Sequence, residues 1–203
     1  MKKLFLDIET LPVEESKHHI LKDIYDKKKE RGKKVADSFD EYLEKTNFDG
    51  SFGRILCVSV AVNSEPATCL YGEEEEILKK FWDIARDADL FVGHTIFDFD
   101  LRFIYQRSMV LDVRPARDLS FARYRNNPIY DIMYEWSKWN MQDKITLDKM
   151  AKAFGIKSSK EGGVDGSKVH EYYKKGRHQE IYDYCNADVE VTRAIYKKMT
   201  FEV

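Results

Sequence analysis

Apolar residues fall in short dense runs between polar stretches, and the period of each run sets the element it predicts. Leu4-Phe5-Leu6-Asp7-Ile8 is a continuous run ending among carboxylates, which predicts a buried strand with acids at its end, closed by Pro12. Arg54 to Val62 is rich in β-branched residues and follows Gly50 and Gly53, so it predicts the clearest strand of the chain. Thr68 to Tyr71 is its partner across the turn at Asn63 to Pro66. Glu73 to Asp87 places Ile77, Leu78, Phe81, Trp82 and Ala85 at helical spacing behind four glutamates, where the macrodipole favours them. Leu90-Phe91-Val92 predicts another buried strand, followed by the loop Gly93-His94-Thr95 and an apolar-acidic stretch from Ile96 to Ile104. Leu147 to Phe154 reads as a short helix stopped by Gly155, Lys157 to Lys168 as a flexible Gly/Ser loop that either closes over a bound substrate end or is disordered, and Gln179 to Met199 as a closing helix. Strands first, then strands alternating with helices, give an α/β or α+β sandwich.

Two polar stretches interrupt this pattern. Glu14 to Asp49 is charged throughout, and Lys17 to Lys34 holds seven Lys and one Arg against Asp23, Asp26 and Glu30, which reads as a basic helical insertion with weak ends or a solvated helix face. Arginines 102, 107, 114, 117, 123 and 125 outnumber Asp112 and Asp118, with Phe121, Tyr124 and Tyr130 interleaved. Arginine for phosphates and aromatic faces for unstacked bases suit single strands; a helix face with its aromatics turned inward is the alternative.

Composition narrows the class. With 203 residues, 43% apolar and 34% charged, the chain fits one globular domain and excludes a disordered tail or a collagen-like repeat. A net charge of -2 gives no reason by itself to expect a polyanionic partner, but it averages basic stretches against clustered acids. Cys57, Cys69 and Cys185 are odd in number without C-x-x-C spacing, so a disulfide framework or zinc knuckle is not expected and a reducing, cytoplasmic setting is. No run approaches the roughly 20 apolar residues of a membrane span, and the N-terminal run is too short for a signal peptide.

The acids in apolar surroundings carry the chemistry, since burying an unpaired carboxylate costs several kcal/mol. Asp7 and Glu9, at i and i+2 in a strand, share a face. Asp100 sits in F-D-F-D-L-R-F-I, and Asp188 lies in the closing helix with Tyr184 one turn before it. Oxygen-only ligands suit hard cations such as Mg²⁺ or Mn²⁺, and two metals need a bridging carboxylate plus several terminal ones. Any one of these acids taken alone reads as a turn cap.

The order D-I-E, then F-D after a Gly-His loop, then Y-x-x-x-D in the last helix resembles the DEDD superfamily of 3'-5' exonucleases in its tyrosine-containing branch. Within it the chain looks most like stand-alone proteins related to the proofreading domain of family B DNA polymerases. L-F-L-D-I-E-T-L-P, V-G-H-T-I-F-D-F-D-L-R-F-I and Y-C-N-A-D-V-E-V-T carry the resemblance across most of the chain. It implies a ribonuclease H-like α/β fold, a mixed five-stranded sheet flanked by helices, with residues 1–203 forming one exonuclease domain that carries a charged helical insertion at about 14–50. It also implies two bound ions, Mg²⁺ or Mn²⁺. Asp7 would bridge them, Glu9 and Asp188 complete the tighter site, Asp100 support the second through water, and the Tyr184 hydroxyl orient the attacking water. Substrate contacts carry over to Thr10, Leu11, His94, Thr95, Phe99 and Phe103. The family usually has Asn where this chain has Thr95. Asp98 competes with Asp100 for the middle acid; we assign Asp100, because the apolar residues then align on both sides. Asp131 reads as a structural acid, and His94 as a packing or hydrogen-bonding loop residue.

The expected activity is metal-dependent release of nucleoside 5'-monophosphates from the 3' end of single-stranded DNA. Trimming of RNA 3' ends and a non-catalytic nucleic-acid-binding module of the same fold are the alternatives. A replication or repair protein is a conceivable partner; no membrane partner is expected, and the sequence leaves the oligomeric state open.

Overall fold

In the computed structural model, which describes residues 1–140 and 142–202, β1 (Lys3–Leu11), β2 (Arg54–Val62), β3 (Thr68–Tyr71), β4 (Leu90–Gly93) and β5 (Ile129–Asp131) form one sheet. Its order is β3-β2-β1-β4-β5. The β1–β2 and β2–β3 pairs are antiparallel, and the β1–β4 and β4–β5 pairs parallel, so the sheet is mixed. The helices are α1 (His18–Glu30), α2 (Phe39–Glu44), α3 (Glu74–Ala85), α4 (Asp100–Val110), α5 (Ile132–Ser137), α6 (Leu147–Ala153), α7 (Val169–Lys174) and α8 (His178–Met199).

Strand alternation on β1 sorts the two layers. Leu4, Leu6 and Ile8 join Ile77, Phe81 and Trp82 of α3 and Leu101, Phe103 and Ile104 of α4 in the larger core. On the opposite face, Phe5 packs with Val189, Ile195 and Tyr196 of α8, and Leu11 packs with Ile181 of the same helix. Asp7 and Glu9 fall between Phe5 and Leu11 on that face. The seam between β1 and α8 is therefore apolar at both ends and acidic in the middle. Each fully buried Ile, Val or Phe contributes about 1.5–3 kcal/mol, which offsets the cost of the acidic centre.

The strands follow the sequence reading closely, except β5. It has three residues, too few to show an alternation, and follows a stretch dominated by Arg and Asn. The 14–50 segment holds α1 and α2, each flanked by a 3-10 turn. Leu21 and Tyr25 of α1 are buried, and Tyr25 packs on Phe39 and Tyr42 at ring distances of 5.5 and 5.2 Å. Its lysines are partly neutralised along the helix, Lys22 by Asp26 and Lys27 by Asp23, both at 2.6 Å. The stretch expected as a flexible loop, Lys157 to Lys168, instead contains two 3-10 turns, Ser159–Gly162 and Gly166–Lys168. Ser158 caps the first through the Lys160 N–H at 3.3 Å and Asp165 the second through the Ser167 N–H at 2.9 Å, while Val164 between them is buried. Its serines and acids bind the backbone locally, which composition alone reads as flexibility.

Arg107 departs from the reading of the arginine stretch as phosphate contacts. It is 2% exposed and forms a bidentate pair with Glu74 at 2.8 and 2.9 Å, joining α4 to the start of α3. Glu74 Oε1 also accepts the Ile55 N–H at 2.8 Å. Breaking such a pair leaves a buried charge, so Arg107→Ala should lose about 3–5 kcal/mol of stability in urea unfolding. A loss below about 1 kcal/mol would mean that water reaches the pair freely.

Candidate active site

The acidic centre of the β1–α8 seam is a cluster in which carboxylate oxygens of Asp7, Glu9 and Asp188 lie within 4.8 Å of one another. Beside it on α8, Cys185 Sγ donates to Asp7 Oδ2 at 3.4 Å. Asp100 arrives from the other layer at the first residue of α4. The parallel β1–β4 ladder ends at the Phe5–Val92 pair, which leaves the Ile8 N–H without a strand partner on that side. Asp100 Oδ1 accepts it at 3.1 Å. The fourth acid is therefore placed where the sheet opens, at the carboxyl ends of its parallel strands, the usual position of a ligand crevice.

These four acids and Tyr184 line one cleft of about 1070 Å³. Thr10, His94, Thr95 and Phe99 line it as well. Leu11 and Phe103 do not. Leu11 is one strand step beyond Glu9 and packs with Leu56, Val169 and Ile181, and Phe103 is buried in the larger core. Asp98 also lies outside the cleft lining and accepts the Tyr134 hydroxyl. None of the six arginines of the 102–125 stretch lines the cleft.

The loop leaving β4 is held by Asp131. Its carboxylate accepts the N–H groups of Thr95 and Phe97 at 3.1 Å each and caps α5 through Met133 N at 3.0 Å. Burial nonetheless raises it to about 6. Gly93 permits the tight entry to this loop, because a Cβ there would stand 2.7 Å from the Ile96 side chain. Thr95 has φ +61, a left-handed conformation that a β-branched residue resists and Asn tolerates. The departure from Asn at this position thus carries a backbone cost. His94 Nε2 lies 2.8 Å from the Ile145 carbonyl and must carry the proton there, which leaves Nδ1 to accept the Thr95 hydroxyl at 3.1 Å. Burial lowers its pKa, so the imidazole is neutral and both nitrogens are engaged.

Electrostatics leave the cluster short of positive charge. Burial pushes Asp7 and Glu9 well above the ordinary carboxylate range, and neighbouring acids push further. Burial likewise raises Asp100 to about 7, against the opposing backbone N–H groups. Asp188 is raised by burial, while the Ser159 and Tyr184 hydroxyls and the Lys160 charge favour its ionised form. Among the described residues no ion pair reaches Asp7, Glu9 or Asp100; buried like-charged oxygens of this kind fit a hard divalent cation. Burial, with Asp188 and Glu9 adding, raises the Tyr184 phenol, so it remains protonated.

Several cleft residues were not among the sequence candidates. Phe48, 70% exposed, faces Phe99 at a ring distance of 6.0 Å, and Asn47 and Glu44 line the same side, so the 14–50 segment forms one wall. Glu44 reaches across to His170 of α7 at 2.7 Å. Ser159 and Lys160 of the 3-10 turn close the side near Asp188. One aromatic between Asn47 and Asp49 was the only sequence signal for Phe48; Lys160 lies in the Gly/Ser stretch whose composition reads as a loop able to close over a bound end.

Among the described residues no helix is long and apolar enough to cross a membrane. No curated protein sequence matches the chain. Residues 58–202 match a family described as predicted 3'-5' exonuclease related to the exonuclease domain of PolB. β1, with Asp7 and Glu9, lies outside the matched residues. In structure the chain is similar to the family B DNA polymerase of the hyperthermophilic archaeon Pyrobaculum calidifontis, with a TM-score of 0.67 at 18% identity. The match covers 98% of this chain and 24% of the polymerase, so the chain spans about a quarter of that protein, and its sheet and flanking helices have the ribonuclease H-like fold.

Proposed function

The chain belongs to the predicted 3'-5' exonucleases related to the exonuclease domain of PolB, and from that membership we propose that it shortens single-stranded DNA from its 3' end in a reaction that needs divalent metal. The carrying observation is the convergence of Asp7, Glu9 and Asp188 within 4.8 Å, beside Asp100, in one open cleft. In this reading residues 1–203 act as one nuclease domain, and the insertion is part of its substrate cleft.

Asp7, Glu9 and Asp188 would hold one ion, and Asp7 with Asp100 would support a second. Mg²⁺ or Mn²⁺ bound there lowers the pKa of a water and stabilises charge on the attacking and leaving oxygens. The remaining roles belong to side chains. Tyr184 keeps its proton and orients the attacking water by hydrogen bonding without acting as its base. Phe99 and Phe48 offer ring faces to an unstacked terminal base, as single-strand sites do. Lys160 supplies a positive charge beside Asp188 for a phosphate oxygen. His94 shapes the floor of the cleft, since neither of its nitrogens is free.

The test uses end-labelled DNA and RNA single strands of matched sequence, with Mg²⁺, Mn²⁺ or EDTA. Stepwise 3' shortening that stops in EDTA and favours DNA is the expected result. Activity that survives EDTA would end the metal mechanism, and faster shortening of RNA would reassign the substrate.

The raised acids also set a pH dependence. A carboxylate whose folded pKa lies above its unfolded value stabilises the fold fully below the unfolded pKa and loses that contribution as pH rises through the folded one. For Asp100 the interval runs from 3.8 to about 7, and Asp131, raised to about 6, adds in the same direction. In EDTA the Tm should therefore fall between about pH 4 and pH 7, and the gain in Tm on adding Mg²⁺ should grow over the same interval. A metal-free Tm that rises steadily to pH 7 would mean that these carboxylates are solvated.

A further inference from the structure

The arginine-aromatic stretch that the cleft does not use forms a surface of its own. Tyr124 is 75% exposed and held at φ +64, a conformation disfavoured for a bulky residue. Its ring leans on Trp139 at 5.3 Å. Trp139 stacks on Tyr134 at 4.6 Å and meets Phe97 edge-on at 5.7 Å. Phe97 lies three residues before Asp100, and the Arg102 guanidinium lies over it at 5.7 Å and over Phe121 at 5.9 Å. A row of rings thus runs from the loop just before α4 out to Tyr124. Arg123 and Arg125 flank Tyr124 and are exposed. Among the described residues the arginines in ion pairs are Arg54, Arg86, Arg107, Arg177 and Arg193, so neither flanking arginine is committed to a carboxylate.

Resting on the exonuclease reading, we infer that Arg123, Tyr124 and Arg125 bind upstream nucleotides of the single-stranded DNA whose 3' end enters the cleft. The cleft lining carries more carboxylates than lysines, with Lys45 and Lys160 against seven acids, so a strand longer than the cleft gains from positive charge elsewhere. Two exposed arginines around an exposed ring match that need: the guanidinium groups take phosphates and the ring stacks a base. The strained backbone at Tyr124 keeps the ring outward, where it has little contact to stabilise the fold.

The experiment compares wild type, Arg123→Ala/Arg125→Ala and Tyr124→Gly on single-stranded DNA of three and twelve nucleotides with Mg²⁺, together with anisotropy of a labelled twelve-mer in EDTA. For the twelve-mer, KM should rise about tenfold in either variant, and for the three-mer it should stay within about twofold. Loss of two phosphate contacts should reduce the slope of log K against log salt by about 1.4 in the double variant. Tyr124→Gly relaxes the backbone, so its Tm should equal or exceed wild type while binding falls. A merely structural role would lower Tm and leave binding unchanged. Equal losses on both lengths, an unchanged salt slope, or tighter wild-type binding of an RNA twelve-mer would overturn the inference. Because anisotropy needs no turnover, a protein that shortens no DNA yet loses twelve-mer binding in these variants would fail the exonuclease reading and keep this surface.

Discussion

Asp7→Asn should leave less than about 10⁻³ of wild-type exonuclease turnover and make the metal-free protein more stable. The two effects share one cause. Asp7 is held on β1 opposite Asp188, with burial and its acidic neighbours all opposing its charge. The amide has the shape of the carboxylate, keeps an oxygen for the Cys185 thiol, and removes one of the crowded charges. Relief of a half-buried carboxylate crowded by other acids should add about 1 kcal/mol in EDTA, read by urea unfolding. The same change removes the ligand shared between the proposed ions, hence the loss of turnover. Mg²⁺ should raise the Tm of wild type and do little for the variant, which reverses their order. A variant less stable than wild type in EDTA would show that the carboxylate has a structural role in the seam, and turnover above about a tenth of wild type would remove Asp7 from the reaction.

This opposition between stability and chemistry explains why the acids were legible in the sequence and much of the cleft was not. Asp7 and Glu9 break an apolar strand at i and i+2, and Asp188 breaks the apolar face of α8, positions where a core residue would otherwise stand. An uncompensated charge at a core position is visible in a one-dimensional pattern because it violates that pattern. Arg107 violates nothing locally. Its partner Glu74 is the start of another helix, and only the fold brings the two together. Phe48 and Lys160 sit in polar segments where any residue is permitted, so their position at the cleft follows from where the 14–50 segment and the 3-10 turn come to rest. β5 escaped for a different reason. Its register on β4 pairs Gly93 with Asp131, and what fixes this strand is the carboxylate network to Thr95 and Phe97, which lies far away in sequence.

Asp100→Asn and Asp98→Asn, two residues apart, should differ in turnover by about two orders of magnitude. Both acids follow a phenylalanine, and the sequence left them in competition. In the structure Asp100 lines the cleft with the other three acids and accepts the Ile8 N–H at 3.1 Å, whereas Asp98 lies outside the lining and accepts the Tyr134 hydroxyl. Asparagine at 100 retains an oxygen for the Ile8 N–H, so the fold should persist while one anionic ligand is lost, and kcat should fall about 10³-fold. Asparagine at 98 retains an oxygen for Tyr134, so the chain between Phe97 and Asp100 should keep its path and kcat should stay within about tenfold of wild type. Measuring both at saturating substrate, with Tm as the control for folding, decides between them. If Asp98→Asn alone abolishes turnover, the acid that works with Asp7, Glu9 and Asp188 is Asp98, and the first turn of α4 must shift when the protein binds metal or DNA.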